Sequence, residues 1–211
     1  AQVDVWWATL TSADIALAGC LTAAESRRLE GLGAGAAAGR FLVGSALLRI
    51  AAADRRGCKA GEVELTRTCP DCGEPHGRPV VAGGPHLSLS HAGVLVVVAA
   101  ADVPVGVDLE RVEDGADPGE RRRRDRWVVD EAVLKAGDEG ALVALEAPLP
   151  GYTGALAVVE QGGVGRVAPQ PDLVAAPQPA LVVEPDLQAR ALVGQGGVGA
   201  ELDGLLGEVE G

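Results

Sequence analysis

Apolar and polar positions alternate through "VDVWWATL" near the start of the chain, which predicts an opening strand. The pattern then lengthens to a helical period. Thr22 precedes an alanine-rich run and Glu25 follows three residues later, the signature of a capping box that starts a helix. From Gly39 to Gly57, Leu42, Ala46, Leu47 and Ile50 recur at helical spacing, and Gly57 is placed to end that helix. "GEVELTRTC" predicts a short strand and "CPDCGEPHGRP" a turn-rich connection. "HLSLSHAGVLVVVAAADVPVGVDLE" predicts two strand-like runs joined by short turns, since valine favours the pleated sheet. "RWVVDEAVLKAG" predicts a compact helix with Val129, Val133 and Leu134 on one side, and "PGYTGALAVVE" a last strand.

From about Gln161 the periodicity gives way to short imperfect repeats. "QGGVG" occurs at 161–165 and 195–199, and "APQPDLV" is echoed by "APQPALV". This composition predicts a mostly flexible, low-complexity tail over 161–211, with a short helix in "AELDGLLGEVE".

Composition narrows the picture. The chain has 211 residues, 47% of them hydrophobic but only 2% aromatic, and no methionine, so its core must be built from Ala, Val and Leu. The net charge of −12 argues against general nucleic-acid binding. The one dense basic run, "ERRRRDR" at 120–126, is read as a solvated face or as a docking patch for an acidic partner. No signal peptide and no continuous apolar run of membrane-spanning length is expected. Four cysteines without a secretory context suggest reduced thiols and a cytoplasmic protein.

Four constellations carry candidate chemistry. Asp108 and Glu110 stand on alternate positions of "PVGVDLER", so a strand turns both carboxylates to one face. With Glu131 from the later helix they form an oxygen donor set suited to Mg²⁺, and Lys135, one turn beyond Glu131, adds an ammonium suited to phosphoryl chemistry. Ser90 and His91 in "LSLSHAG" adjoin in a strand and so face opposite sides. That placement disfavours a serine nucleophile and leaves His91 as a structural residue or an anion contact. Cys69 and Cys72 have the spacing of a zinc knuckle, with His76 following. Neither Cys58 nor His86 is at a standard distance for a fourth ligand, and two free thiols in a turn are the simpler reading. "GLGAGAAAG" imitates a dinucleotide fingerprint but follows a helix rather than a strand, so a glycine-rich bend between helices is expected.

Taken in order, "HGRP", "HLSLSHAGVLVVVA", "VGVDLERV" and "WVVDEAVLKAGDEG" resemble the motif blocks of the surfactin-type 4′-phosphopantetheinyl transferases over roughly residues 3–160. The resemblance implies an α+β fold of two similar subdomains about a pseudo-twofold axis, here 1–103 and a shortened 104–160, with coenzyme A between them. It implies transfer of the phosphopantetheine arm of coenzyme A to a serine of an apo acyl or peptidyl carrier protein, with release of 3′,5′-adenosine bisphosphate. Asp108, Glu110 and Glu131 would hold Mg²⁺, Glu131 would take the serine proton, and Lys135 would stabilise phosphate charge. Arg28, Arg40, Arg78, Ser90 and His91 would contact coenzyme A, in a monomer that engages no nucleic acid and no membrane. Val128 and Asp130 stand where the family has a hydroxyl residue and a lysine, and the connection from Val112 to Arg126 is short. These departures leave a second expectation: a relative that binds coenzyme A or a carrier protein without catalysis.

Overall fold

The computed structural model describes residues 1–113 and 115–159 and the backbone of Ala189–Ala191. Strand β1 (Val3–Thr9) leads through two 3-10 turns into helices α1 (Ala23–Leu32) and α2 (Ala36–Arg56). The short strands β2 (Leu65–Thr66) and β3 (Val80–Val81) pair as a ribbon, and β4 (His86–Ala92) and β5 (Leu95–Ala101) form a hairpin. Strand β6 (Val105–Arg111), helix α3 (Pro118–Ala136) and strands β7 (Ala141–Leu145) and β8 (Tyr152–Val158) follow. The protein is therefore α+β. The three-residue strand β9 (Ala189–Ala191) pairs in parallel with Val5–Trp7. The helix expected in "AELDGLLGEVE" and the rest of the low-complexity tail lie outside the described residues.

Two sheets, ordered β4-β5-β1-β9 and β6-β8-β7 and antiparallel but for the β1–β9 pair, stack face to face between the helices. Val3, Val5 and Trp7 of β1 meet Val105, Val107 and Leu109 of β6 and Leu156 of β8 in the central layer. On the outer side of the first sheet, Trp6, Val96, Val98 and Leu87 pack on α2. On the outer side of the second, Ala155 and Ala157 pack on Val128, Ala132 and Ala136 of α3. Strand β5 is buried on both faces, which is why it reads as the unbroken apolar run "LVVVAAA".

The helix signals act as expected at α1 and α2. The Glu25 amide donates to the Thr22 hydroxyl at 3.2 Å and the Thr22 amide to the Glu25 carboxylate at 2.9 Å, which completes the capping box. Gly57 ends α2 in the left-handed region at φ 63°. By length and mean hydropathy α2 could cross a membrane, yet Leu42 through Ala53 are all buried within the fold. Gly33 (φ 64°) and Gly35 (φ 137°) make the bend between α1 and α2, not a nucleotide loop.

Three expectations change. The run from His86 to Glu110 holds three strands, because the hairpin turn at Gly93 (φ 53°) divides the first apolar stretch. Helix α3 begins at Pro118, capped by the Asp117 carboxylate, and absorbs the arginine run. Its buried stripe is Val128, Ala132 and Ala136, whereas Leu134 is 72% exposed.

Candidate functional site

Strand β6 presents alternate residues to α3, as its period requires. A methyl group on Gly106 would come within 1.9 Å of the Ala132 carbonyl oxygen, so the helix lies directly against this glycine. Two residues on, Asp108 is 5% exposed. Its Oδ1 accepts from Lys135 Nζ at 2.5 Å and from the Ser90 hydroxyl at 2.8 Å, while Oδ2 is buried with no hydrogen-bond partner. Glu110 lies 3.5 Å from an Arg124 guanidinium nitrogen. The shared face expected for Asp108 and Glu110 is thus present, and in this structure protein cations from α3 answer both charges. Glu131 is half-buried on α3 between those two cations and makes no hydrogen bond or ion pair with the described residues. The three carboxylates do not converge to within 4.8 Å of one another.

Strands β4 and β6 belong to different sheets and are joined through serine side chains. The Val107 amide donates to the Ser88 hydroxyl at 2.9 Å and the Leu109 amide to the Ser90 hydroxyl at 3.2 Å. Ser90 both accepts from this amide and donates to Asp108; it is buried and does not line the pocket described next. His91, its neighbour, faces the other way.

That pocket holds about 310 Å³, within the range of small-molecule sites. Its basic residues are Arg28, Arg40, Arg67, His76 and His91, and Phe41 and Leu89 give it an apolar floor. The Arg28 guanidinium lies 5.0 Å from the centre of the Phe41 ring, a cation–π contact. Arg28 donates to the Pro75 carbonyl at 3.2 Å, Arg40 to the Gly93 carbonyl at 3.2 Å and Arg67 to the Gly77 carbonyl at 3.3 Å. A guanidinium carries five donors, so each retains capacity for a ligand. Burial and neighbouring like charge act together on two of these groups. Burial, then the neighbouring Arg28 charge, lowers the Arg67 pKa; burial, then Arg40 and Lys135, lowers that of His91. Lys135 therefore acts on both sites, fixed to Asp108 and close enough to His91 to repel its proton.

Arg28, Arg40 and His91 were expected at an anion site and line this pocket. Arg78 does not. It donates to the carbonyl of Val105 at the start of β6 and to that of Lys135 at the C-terminal end of α3, where a cation complements the helix dipole. Nothing local in "LTRTC" marks Arg67; only the fold of the ribbon brings it to the pocket.

Cys69, Cys72 and His76 gather their ligand atoms within 4.8 Å of one another, with Cys72 Sγ 3.1 Å from His76 Nε2. Backbone hydrogen bonds from Asp71 and Cys72 lower the Cys69 thiol pKa. All four cysteines are free. No family model matches the chain, and neither does any curated protein.

Proposed function

We propose that the protein is an Mg²⁺-dependent 4′-phosphopantetheinyl transferase of the surfactin type. The observation that carries this reading is the adjacency across β4 of a pocket with five basic side chains and a buried carboxylate with an unpartnered oxygen. In a chain of net charge −12, such a pocket selects a polyanion. The pyrophosphate and 3′-phosphate of coenzyme A supply one, and Arg28, Arg40, Arg67 and His91 are the donors available to it.

By chemistry the donor set suits a hard divalent cation, around which the three carboxylates would have to draw closer than they stand here. Asp108, Glu110 and Glu131 offer only oxygen, and Oδ2 of Asp108 is a buried acceptor that a cation would satisfy. Bound there, Mg²⁺ would neutralise charge on the pyrophosphate. The protein's own residues do the rest. Ser90 holds Asp108 in place, and Lys135 is placed to move its ammonium toward phosphate oxygen. Glu131 has no competing partner among the described residues and accepts the proton of the incoming serine hydroxyl. The serine oxygen bonds to the pantetheine-side phosphorus as the bond from that phosphorus to 3′,5′-adenosine bisphosphate breaks.

The topology supports the two-subdomain reading. Apart from the short β2–β3 ribbon and the 3-10 turns, residues 1–103 run strand, helices, strand, strand with β4-β5-β1 side by side, and 104–160 follow the same order with one helix as β7-β8-β6. A repeat internal to the chain would supply both halves of the cleft, as the proposed monomer requires. For the carrier, α3 offers exposed Arg122, Arg123 and Arg126 beside Trp127, 56% exposed, and Leu134, a basic and apolar face suited to an acidic partner.

Incubation with Mg²⁺, coenzyme A and an apo acyl or peptidyl carrier protein is expected to add the mass of the arm to the carrier, and Asp108→Ala to abolish the gain. No gain with any of several carriers would remove the transferase reading. A second reading is favoured by Lys135 and Arg124, which already neutralise Asp108 and Glu110. In it the protein binds coenzyme A or a carrier without transfer, and calorimetric binding of coenzyme A with no mass gain would identify it.

A further inference from the structure

We infer that Cys69, Cys72 and His76 form a zinc site that clips the β2–β3 ribbon and fixes one wall of the basic pocket. Two sulfurs and one imidazole nitrogen lie within 4.8 Å of one another, a donor set that selects zinc over magnesium or calcium. The loop that carries them is built rather than slack. The Cys69 amide donates to the Glu74 carbonyl at 2.8 Å, the Gly73 amide to the Cys69 carbonyl at 2.9 Å and the Gly77 amide to the Arg67 carbonyl at 2.7 Å. Gly73 takes the left-handed turn at φ 76°, which reverses the chain between the second cysteine and the histidine. Gly77 has no room for a side chain, because a Cβ would lie 2.4 Å from the Thr68 carbonyl oxygen.

A disulfide would account for the two sulfurs but not for His76, whose Nε2 lies 3.1 Å from Cys72 Sγ. A metal accounts for all three. It also meets a structural need: β2 and β3 have two residues each, too few to hold a ribbon by backbone bonds alone. Cys72 and His76 are exposed, so the fourth tetrahedral position is left to water. Arg28 and Arg67 bond the carbonyls of Pro75 and Gly77 on either side of His76. Fixing His76 on a metal therefore fixes the wall that these two arginines share. Two thiolates offset the zinc charge, so the pocket keeps its arginine cations while the wall carrying His76 becomes rigid. The inference stands whether or not the pocket takes coenzyme A.

The test is metal content of the full chain, purified under a phosphine reductant, by elemental analysis. One equivalent of zinc per chain is expected to survive gel filtration, and replacement by Co²⁺ to give the visible absorption of a tetrahedral, sulfur-ligated ion. Cys72→Ser and His76→Ala change exposed side chains and are each expected to lose the retained zinc while the helical circular dichroism is kept. Cys58→Ser, outside the cluster, is expected to keep it. Absence of retained zinc and of the cobalt spectrum in the unaltered protein would overturn the inference, whether the cysteines are then found disulfide-linked or as reactive thiols. Equal retention in Cys72→Ser and His76→Ala would overturn it as well.

Discussion

The contact that sets the candidate site is the approach of α3 to Gly106, and Gly106→Ala tests it. The added Cβ would lie 1.9 Å from the Ala132 carbonyl oxygen, 2.4 Å from the Ala136 amide nitrogen and 2.9 Å from the Lys135 carbonyl carbon. Ordinary contact needs roughly 3.5 Å, so the helix must withdraw by more than an ångström. All three obstacles are backbone atoms, which no side-chain rotation can relieve. Withdrawal opens the Val128, Ala132 and Ala136 stripe from Ala155 and Ala157 and draws Lys135 away from Asp108. Overpacking of this kind costs about 1–3 kcal/mol where side chains can give way, and the upper end or more is expected here. Urea denaturation measures it, and coenzyme A affinity measured on the folded fraction should fall with it. A variant within about 0.5 kcal/mol of the parent would refute the claim that close helix approach organises the site.

Glu25→Ala removes both the capping box and the partner of Arg49, a 1%-exposed guanidinium bonded to Glu25 at 2.7 and 3.1 Å. A loss of roughly 3–5 kcal/mol is expected, and a loss below about 1 kcal/mol in denaturant melts would contradict it. Burial acts to raise the Glu25 pKa, but the Thr22 amide and Arg49 prevail and hold it below the usual 4.5. Its stabilisation is therefore full above pH 4.5 and lost as pH falls through the lowered value; a pH titration of stability that Glu25→Ala leaves unchanged would exclude this. His91 has the opposite charge type and a lowered pKa, so the folded protein binds fewer protons than the unfolded chain just below pH 6.5, and acidification there costs stability. An anion in the pocket should recruit that proton, so pyrophosphate affinity should rise as pH falls toward that window, and His91→Gln should flatten the rise; an equally steep profile in the variant would be decisive against it. Arg67→Ala should weaken coenzyme A binding by roughly ten- to a hundredfold in calorimetry, the worth of a charge-assisted bond, whereas Arg78→Ala should change it little. The reverse ranking would return the site to its sequence-based assignment.

Much of this arrangement can be read from local pattern, and what cannot has a common cause. A capping box, a terminal glycine and a period-two strand are short-range signals, so Thr22, Glu25, Gly57 and the shared face of Asp108 and Glu110 are legible. The buried side of α3 is not, because it depends on its partner. Leucine at position 134 looks like a core residue, but Gly106 brings the strand so close that only Ala132 and Ala136 fit beneath the helix, and Leu134 is turned outward. Strand β7 is equally hidden, since "ALVAL" is short and largely exposed and gains its identity only by pairing with β8. Arg49 sits within the most apolar stretch of α2, and nothing nearby in sequence shows that Glu25 will meet it.

The same dependence on distant partners makes the pocket a property of the tertiary fold. In an acidic chain most interior cations find a carboxylate. Arg49 takes Glu25, Arg55 takes Asp4 and Asp102, Arg124 takes Glu110 and Glu120, and Lys135 takes Asp108. Arg40 and Arg67, also partly withdrawn from solvent, form hydrogen bonds only with backbone carbonyls among the described residues. A carbonyl dipole satisfies a donor without neutralising its charge, so the pocket keeps a net positive field that the surrounding acids do not cancel. The sequence lists these arginines alongside the paired ones with nothing to separate them. Which cations lack a counter-charge is decided by tertiary contacts, and that imbalance, more than any motif, is what directs an anionic ligand to this face of α1, α2 and β4.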